Sequence, residues 1–530
     1  MVRKVEAIDY QDPTAGQSAA ALATIETGTV VGDGGDEGRI RSGRLAGLTM
    51  WRAIFVLSWP VLIESLLNAT VGLVDTTLAA GISVPAADAV AGASYITWFI
   101  GLVGLALGVG AAALISRAMG RGRIPAANAA LGQCALIAVV AGCFVGALMA
   151  VAAPAAASWM SLSPEASEHC ITFLRINALA VPVISITESF IACCRAVGDS
   201  VKPLMAMAIV NAVNIVASII LSGVDLSVSS LGSDGLVRRN VLFHNPFPFD
   251  MGVAGIAAGT VIAWVAGAAM MIAIVARGTH GLRLTRKRLR PHRITIIRLL
   301  RVGIPNFLET FGMWFGNFLT LLMVGWMHAP GVLGAHVVAI RVEAFSFLPG
   351  FAMSLAAATL AGQYLGAGSP RLARIAVIRC ARIAGAIMGL AGLLFVFAPG
   401  LVVGLFTPQA RHLELTPQLL MVCGVIQIPF AYAMVARGGL RGAGATRSAM
   451  WITWISIYAI RLPLAWIFCG VDIPLPEWIG GGVIANPAPL QAIGIEPIVG
   501  FWIGLCSEIV IRCVLFLTAF LRGSWARLRV

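Results

Sequence analysis

From about Leu45 to its end the chain is a succession of apolar and small-residue runs separated by short polar connections. Twelve runs can be marked, at roughly 50–79, 87–116, 127–153, 171–194, 203–223, 252–276, 303–327, 333–365, 375–398, 416–436, 448–469 and 497–521. Each holds about 20 residues or more, enough for a helix to cross a hydrocarbon layer of about 30 Å. Residues 1–45 break the pattern. They are rich in Gly, Ala and acids with almost no large apolar residues, which predicts a disordered cytoplasmic tail. Their start, MVRKVEAIDYQDPTAGQ, has no apolar core behind the basic pair, so it does not read as a cleavable signal peptide.

Charge in the connections tests the count. Alternate loops, starting with the one after the second run and ending with the C-terminal tail, hold 24 Lys and Arg. The other loops hold three, Arg238, Arg239 and Arg411. Positive charge collects on the cytoplasmic side, which predicts an even number of spans and both termini inside. The expected location is the plasma (cell inner) membrane, as a multi-pass protein. The chain also repeats itself. GLALGVGAAALISRAMGRG (104–122) aligns with GFAMSLAAATLAGQYLGAG (350–368) at an offset of 246, and RAVGDS (195–200) with RGAGAT (441–446) at the same offset. PVLIE (60–64) aligns with PNFLE (305–309) at 245. Six spans per copy make both copies enter from the same side, a parallel repeat about an axis along the membrane normal. The expected fold is an all-α integral membrane protein of about 12 transmembrane helices in two six-helix bundles. Its parts are an N-lobe at 46–276, a basic cytoplasmic linker at 277–301 and a C-lobe at 302–530.

Composition agrees with this picture. Hydrophobic residues make up 59% and charged residues 12%, against about 45–50% and 25% in soluble domains. The net charge of +13 is sorted into loops, so the linker reads as an anchor on anionic lipid rather than a nucleic-acid surface. Ten cysteines lie scattered in apolar runs without metal-ligand spacing and read as small core residues.

Five stretches carry a family resemblance: SWPVLIESLLNATVGLVDTTLAAG, GVGAAALISRAMGRG, RAVGDSVKP, GAHVVAIRVEAFSFLPGFAMSLAAATLAGQYLGAG and LRGAGATR. The chain resembles the multidrug and toxic compound extrusion (MATE) transporters, of the multidrug/oligosaccharidyl-lipid/polysaccharide flippase superfamily, from about residue 50 to 525. The resemblance implies two six-helix lobes around a central cavity. It also implies export of organic cations or amphipathic compounds in exchange for protons or sodium.

By that resemblance Asp75, in VDT, is the N-lobe acid of cation coupling. Physical chemistry points the same way. A carboxylate at membrane depth costs roughly 3 kcal/mol even on the lenient insertion scale, and burial disfavours the charged form. Such a group can alternate between neutral and ionised states, or hold Na⁺ when ionised; the alternative is a carboxyl kept for packing alone. Asn68, seven residues earlier on the same face, is a candidate partner, as are Thr76 and Thr77. Glu64 lies about 16 Å before Asp75 along the axis and within ~20° of its face, and its repeat mate is Glu309. Both suit a cation route or a latch closed by an arginine. Glu188 and Glu343 are further intramembrane acids in the coupling set, and Glu508 with Arg512 at i, i+4 predicts a local pair. Asn214 matches an asparagine of the family's fifth helix, but the acid some members carry one turn later is Ser218 here. The acids some sodium-coupled members use in the seventh and tenth helices fall near Met313 and Phe430. Glu309 is a candidate substitute, and proton coupling through the N-lobe is the preferred reading.

Phe307, Phe311 and Trp314, beside Met313, form a candidate cavity face for planar cations, with lipid or helix packing as the alternative. GLALG (104–108) has the GxxxG spacing of close helix contact. Pro60, Pro182, Pro305, Pro349, Pro429 and Pro463 fall within spans and predict kinks, those at the matched positions 60 and 305 fitting either bending during transport or static curvature. None of the three lysines follows a glycine, so GxxxxGK[ST] is absent, as are HExxH and GxSxG. The chain is therefore not expected to be an enzyme or to need a metal or cofactor, the coupling ion being H⁺ or Na⁺. Expected partners are a small cationic or amphipathic substrate and membrane lipid, with no nucleic acid and no obligatory protein partner. Two competitors stand. A flippase for a lipid-linked or polysaccharide precursor needs a cavity rich in Arg and Lys, whereas only Arg175, Arg341, Arg461 and Arg512 lie away from the ends of the spans, at intramembrane depth. The other is an uncoupled channel.

Overall fold

Inside a bilayer no water is available to backbone N–H and C=O groups, and a helix satisfies them within one segment. The apolar runs fold accordingly. The computed structural model describes residue 40 and residues 43–528, apart from 161, 232–236, 248, 328, 407–409 and 475–480. Nearly all of the expected 1–45 tail lies outside the described residues. Helices α1 (Met50–Ile82), α2 (Val84–Gly120), α3 (Ile124–Trp159), α4 (Pro164–Ala178), α5 (Val181–Ala196), α6 (Val201–Ser222) and α7 (Gly252–Arg277) form the first half. The second half comprises α8 (Arg293–Gly325), α9 (Val332–Gly366), α10 (Pro370–Phe397), α11 (Pro399–Gly404), α12 (Ala410–Val425), α13 (Gln427–Gly442), α14 (Thr446–Trp454), α15 (Leu462–Cys469) and α16 (Pro497–Leu521). Among the described residues ten helices are long and apolar enough to cross a membrane, or twelve when each of two bent pairs counts as one span. The expected two-bundle architecture is what the chain adopts.

Two spans are bent, at two of the in-span prolines and at repeat-equivalent places. α4 and α5 meet at 54°, α12 and α13 at 57°. Pro182 and Pro429 lack the N–H that would bond the carbonyl four residues back, across each break. By contrast α1 and α8 run through Pro60 and Pro305 without interruption. Between α14 and α15 the chain takes one wider π-helical turn, Ile455–Arg461. The 224–250 connection folds as an antiparallel hairpin, β1 (Leu226–Leu231) on β2 (Val237–Phe243).

Small residues set the helix spacings. Gly255 and Gly259 of α7 lie against α6, where added methyl groups would strike the Leu221 carbonyl and the Ser218 hydroxyl. Gly104 and Gly108, the GLALG pair, lie against Ser185 and Ala192 of α5, so that motif serves close packing as expected. Each half holds an apolar core at either end, and Ala53, Ile54 and Leu57 of α1 join the second half's core at the end carrying the basic loops. Nine cysteines are buried and Cys143 is exposed, none in a disulfide.

Overpacking at the α6–α7 contact should be felt directly. Gly259→Val is expected to cost about 1–3 kcal/mol, read as a lower melting temperature in detergent. Gly101→Ala, which adds a methyl to open space, should not lower it.

Candidate functional site

Asp75 sits on α1 inside the first half, 7% exposed. Its neighbours come from two other spans. The Asn214 amide on α6 donates to the Thr260 hydroxyl on α7 at 3.1 Å, and that hydroxyl donates to Asp75 Oδ2 at 3.5 Å. Thr260 also reaches the Ile256 carbonyl at 3.2 Å. Asp75 Oδ1 and Asn214 Oδ1 are buried and accept no hydrogen bond among the described residues. Two adjacent acceptors without donors leave room for a proton on the carboxyl or for a small cation. Ser218, where the second acid was sought, donates to the Ile256 carbonyl at 3.4 Å and fills the α6–α7 contact. Asn68 is exposed, and no described hydrogen bond joins it to this group. Beyond Asp75, Gly81 and Ile82 line a cavity of about 510 Å³ with Ser222, Asp225 and Asp250.

Glu64 belongs to a different arrangement. The Arg195 guanidinium donates to its Oε2 at 2.5 Å, and Glu188 lies within the same local field. Glu309, fully buried, repeats the pattern in the second half. Arg441 donates to it at 3.1 Å, the Thr453 hydroxyl at 3.0 Å, and Arg437 approaches to 3.9 Å. Glu64 and Glu309 are repeat mates, and so are Arg195 and Arg441. Each half thus holds one conserved-by-duplication ion pair plus one extra charge, an acid (Glu188) in the first and a base (Arg437) in the second.

Glu508 forms a third buried centre. Arg512 grips it with two nitrogens at 2.6 and 2.8 Å, as the i, i+4 spacing predicts. Arg461 Nε adds a contact at 3.0 Å, and Ser456 donates its hydroxyl. The π turn puts Ser456 and Arg461, five residues apart, on one face. Arg461 also reaches Asn317 at 2.9 Å. Glu343 is half-buried, in the field of Arg461 and beside Cys423.

Phe307, Phe311 and Trp314 share one face of the unbroken helix α8. Phe307 and Phe311 pair at 6.0 Å between ring centroids, and Phe311 is exposed. Met313 turns to the Arg437 guanidinium, 3.5 Å away, and Trp314 is half-buried. Sequence reasoning missed Thr260, Arg437 and the partners of Glu64 and Glu309. For the last two a signal was present: RAVGDS and RGAGAT each open on an arginine at the offset that relates the two glutamates.

Two like bundles of six spans, each with carboxylates buried in its interior, define a membrane transporter built on a parallel repeat. The MatE family model matches residues 60–220 and 305–467, one block in each half, and the chain belongs to that family. A Thermotoga maritima protein named "Probable multidrug resistance protein NorM" is 25% identical over 90% of this chain and 93% of its own length. The "Multidrug resistance protein NorM" of Photobacterium profundum is 25% identical over 86% and 91%. In fold, a MOP superfamily transporter from Pyrococcus furiosus superposes with a TM-score of 0.75 at 20% identity, over 91% of this chain and 97% of that one.

Removing one member of a buried ion pair strands the other, at about 3–5 kcal/mol. Arg195→Ala should therefore lower the melting temperature sharply. The double variant Arg195→Ala/Glu64→Gln should recover most of the loss, so a double-mutant cycle returns a large favourable coupling.

Proposed function

We propose that this protein is a secondary antiporter that expels cationic or amphipathic compounds in exchange for a cation bound at Asp75, with a proton as the preferred ion. The observation that carries this reading is the unpartnered, buried Oδ1 of Asp75 beside the unpartnered Oδ1 of Asn214. Glu64, Glu309 and Glu508 are each neutralised by an arginine within 3.1 Å. Asp75 has neutral neighbours instead, the Asn214 side chain and the Thr260 hydroxyl, the latter at 3.5 Å, so its ionised form is stabilised weakly and its occupancy can change. With a proton or a small cation bound, the carboxyl is electrically satisfied in the apolar interior. Without it, the buried charge strains the arrangement of α1, α6 and α7. A bound ion and a bound substrate then favour opposite conformations, which is the requirement for exchange.

Sidedness follows from charge. The loops rich in Lys and Arg face the cytoplasm in this reading, with both termini inside and the protein in the inner membrane. The halves touch at that end, and the cavity beside Gly81 and Asp225 opens at the other. The ion reaches Asp75 from outside, and substrate is taken from the cytoplasm or the inner leaflet. The NorM names of the relatives support multidrug compounds as the substrate class. A flippase needs arginines free to grip an anionic head group. Of the four arginines within spans, Arg461 and Arg512 are bound to a carboxylate and Arg175 and Arg341 are exposed, while Arg195 and Arg441 are paired as well, which favours the antiporter.

Two measurements test the reading. In proteoliposomes carrying a fluorescent organic cation, an imposed H⁺ gradient should drive accumulation at least tenfold faster in the parent than in Asp75→Asn. An equal rate in the variant refutes coupling at Asp75, a response only to Na⁺ reassigns the ion, and dye movement that dissipates without accumulating marks a channel. For sidedness, Arg288→Cys in a Cys143→Ala background should react with an impermeant thiol reagent from the cytoplasmic face of inverted vesicles and not from outside intact cells.

A further inference from the structure

The two halves meet at the basic-loop end through reciprocal contacts. Arg117, in the last turn of α2, donates to the Ala443 carbonyl at 2.8 Å and to the Leu528 carbonyl at 2.5 Å. Gln363, in the last turn of α9, donates its amide to the Ala196 carbonyl at 2.7 Å. Arg117 and Gln363 are repeat mates, 246 residues apart, and their targets lie in the mated turns RAVGDS and RGAGAT. Each half therefore reaches into the same turn of the other. Both side chains are buried, at 5% and 0% exposure. Thr359 adds a hydroxyl bond to the Arg195 carbonyl at 3.4 Å.

A second matched pair makes the approach possible. A methyl group on Gly120 would strike the Gln363 carbonyl, and one on its mate Gly366 would strike the Arg117 carbonyl. The acceptors are C-terminal carbonyls of α5 and α13, where the helix has no partner of its own for them and where the dipole favours a cation such as Arg117. These are also the inner helices of the two bent spans.

We propose that Arg117 and Gln363 are the positioning residues that close the transport path at the basic-loop end, each capping a helix terminus in the opposite half. When the halves separate at this end, water from the adjoining aqueous phase takes over the exposed carbonyls and donors. The exchange of partners keeps the closed state favoured by a modest margin, as a reversible gate requires. The gate is also tied to the buried ion pairs. Arg195 holds Glu64 through its side chain while its carbonyl receives Thr359, and Arg441 holds Glu309 two residues before Ala443. Glu64 shares α1 with Asp75, so movement of that helix is transmitted to the turn that Gln363 grips. The C-terminal segment takes part as well. Trp525 is stacked on Phe520 at 4.9 Å, which brings the Leu528 carbonyl to Arg117.

The test is a distance measurement across the gate. Nitroxide labels at Arg121→Cys and Arg371→Cys, both exposed and in opposite halves, are placed in a Cys143→Ala background. The purified, lipid-reconstituted protein is then examined by pulsed dipolar spectroscopy. The parent should be dominated by a short-distance population. Arg117→Ala and Gln363→Glu, which remove the donor, should each raise the long-to-short ratio about tenfold, the effect of losing one charged or buried hydrogen bond. Because the two positions are equivalent by duplication, the swap Arg117→Gln/Gln363→Arg should return the ratio to near the parent's value. A generic loss of packing would not be repaired by that exchange. Unchanged distances in both single variants overturn the proposal, and so does a swap as open as Arg117→Ala. Should Arg117→Ala fail to fold, Arg117→Lys and Gln363→Asn, which keep polarity but shorten or thin the contact, must shift the ratio in the same direction. Since the distances need neither ion nor substrate, failure here leaves the antiporter reading standing, and failure of coupling at Asp75 leaves the gate standing.

Discussion

An ionisable group in hydrocarbon has to be matched by an opposite charge or be able to lose its own. Glu64, Glu309 and Glu508 are matched, each by an arginine reaching in from another helix or from the next turn. Asp75 is not. Its neighbours are neutral, the Thr260 hydroxyl at 3.5 Å from Oδ2 and the Asn214 side chain, and among the described residues Glu188 and Glu343 likewise have no ion pair. The matched pairs tie helices together, and the carboxyl without an ion pair is the one proposed to respond to a cation. In the proposed mechanism, stability and coupling are divided between different buried carboxylates.

Duplication explains why the assignment is asymmetric. The 245-residue offset that relates Glu64 to Glu309 carries Asp75 onto Thr320, a hydroxyl that bonds the Asn317 carbonyl at 2.7 Å and carries no charge. The second half has instead accumulated arginines, with Arg437 beside Glu309 and Arg461 beside Glu508. Where the halves remain alike they do mechanical work: the two bent spans, the mated ion pairs, and the mated glycines at the basic-loop end. Where they differ, the first half has Asp75 without an ion pair and the second has the additional arginines. A transporter that rocks one bundle against another gains from this division, since a single titrating site can bias a symmetric hinge.

Much of this was legible in the sequence because membrane helices obey few rules. Length, apolarity and the sorting of Lys and Arg fixed the spans, and constant offsets revealed the duplication. Asp75 stood out because its setting is costly, and Glu508 with Arg512 because their spacing is local. The bends at 178–181 and 425–427 were carried only by Pro182 and Pro429, in runs that otherwise read as continuous spans. Partners across helices were harder. Arg437 and Arg441 count as loop residues by position, yet their long side chains extend from a helix end into the bundle to reach Glu309. Thr260 is one of many hydroxyls in apolar runs, and only the packing of α7 on α6 through Gly255 and Gly259 puts it between Asn214 and Asp75. Phe307, Phe311 and Trp314 share a face of α8 by their spacing, whereas Met313, grouped with them as a sequence neighbour, is turned about 160° from Phe311.

The central claim is that one cation leaves Asp75 when substrate binds. Counting ions released into weakly buffered solution as a cationic substrate is titrated onto the purified, lipid-reconstituted protein tests it most directly. Close to one proton should be released per substrate bound by the parent and none by Asp75→Asn. Substrate binding by the parent with no cation released, or equal release by the variant, would contradict it.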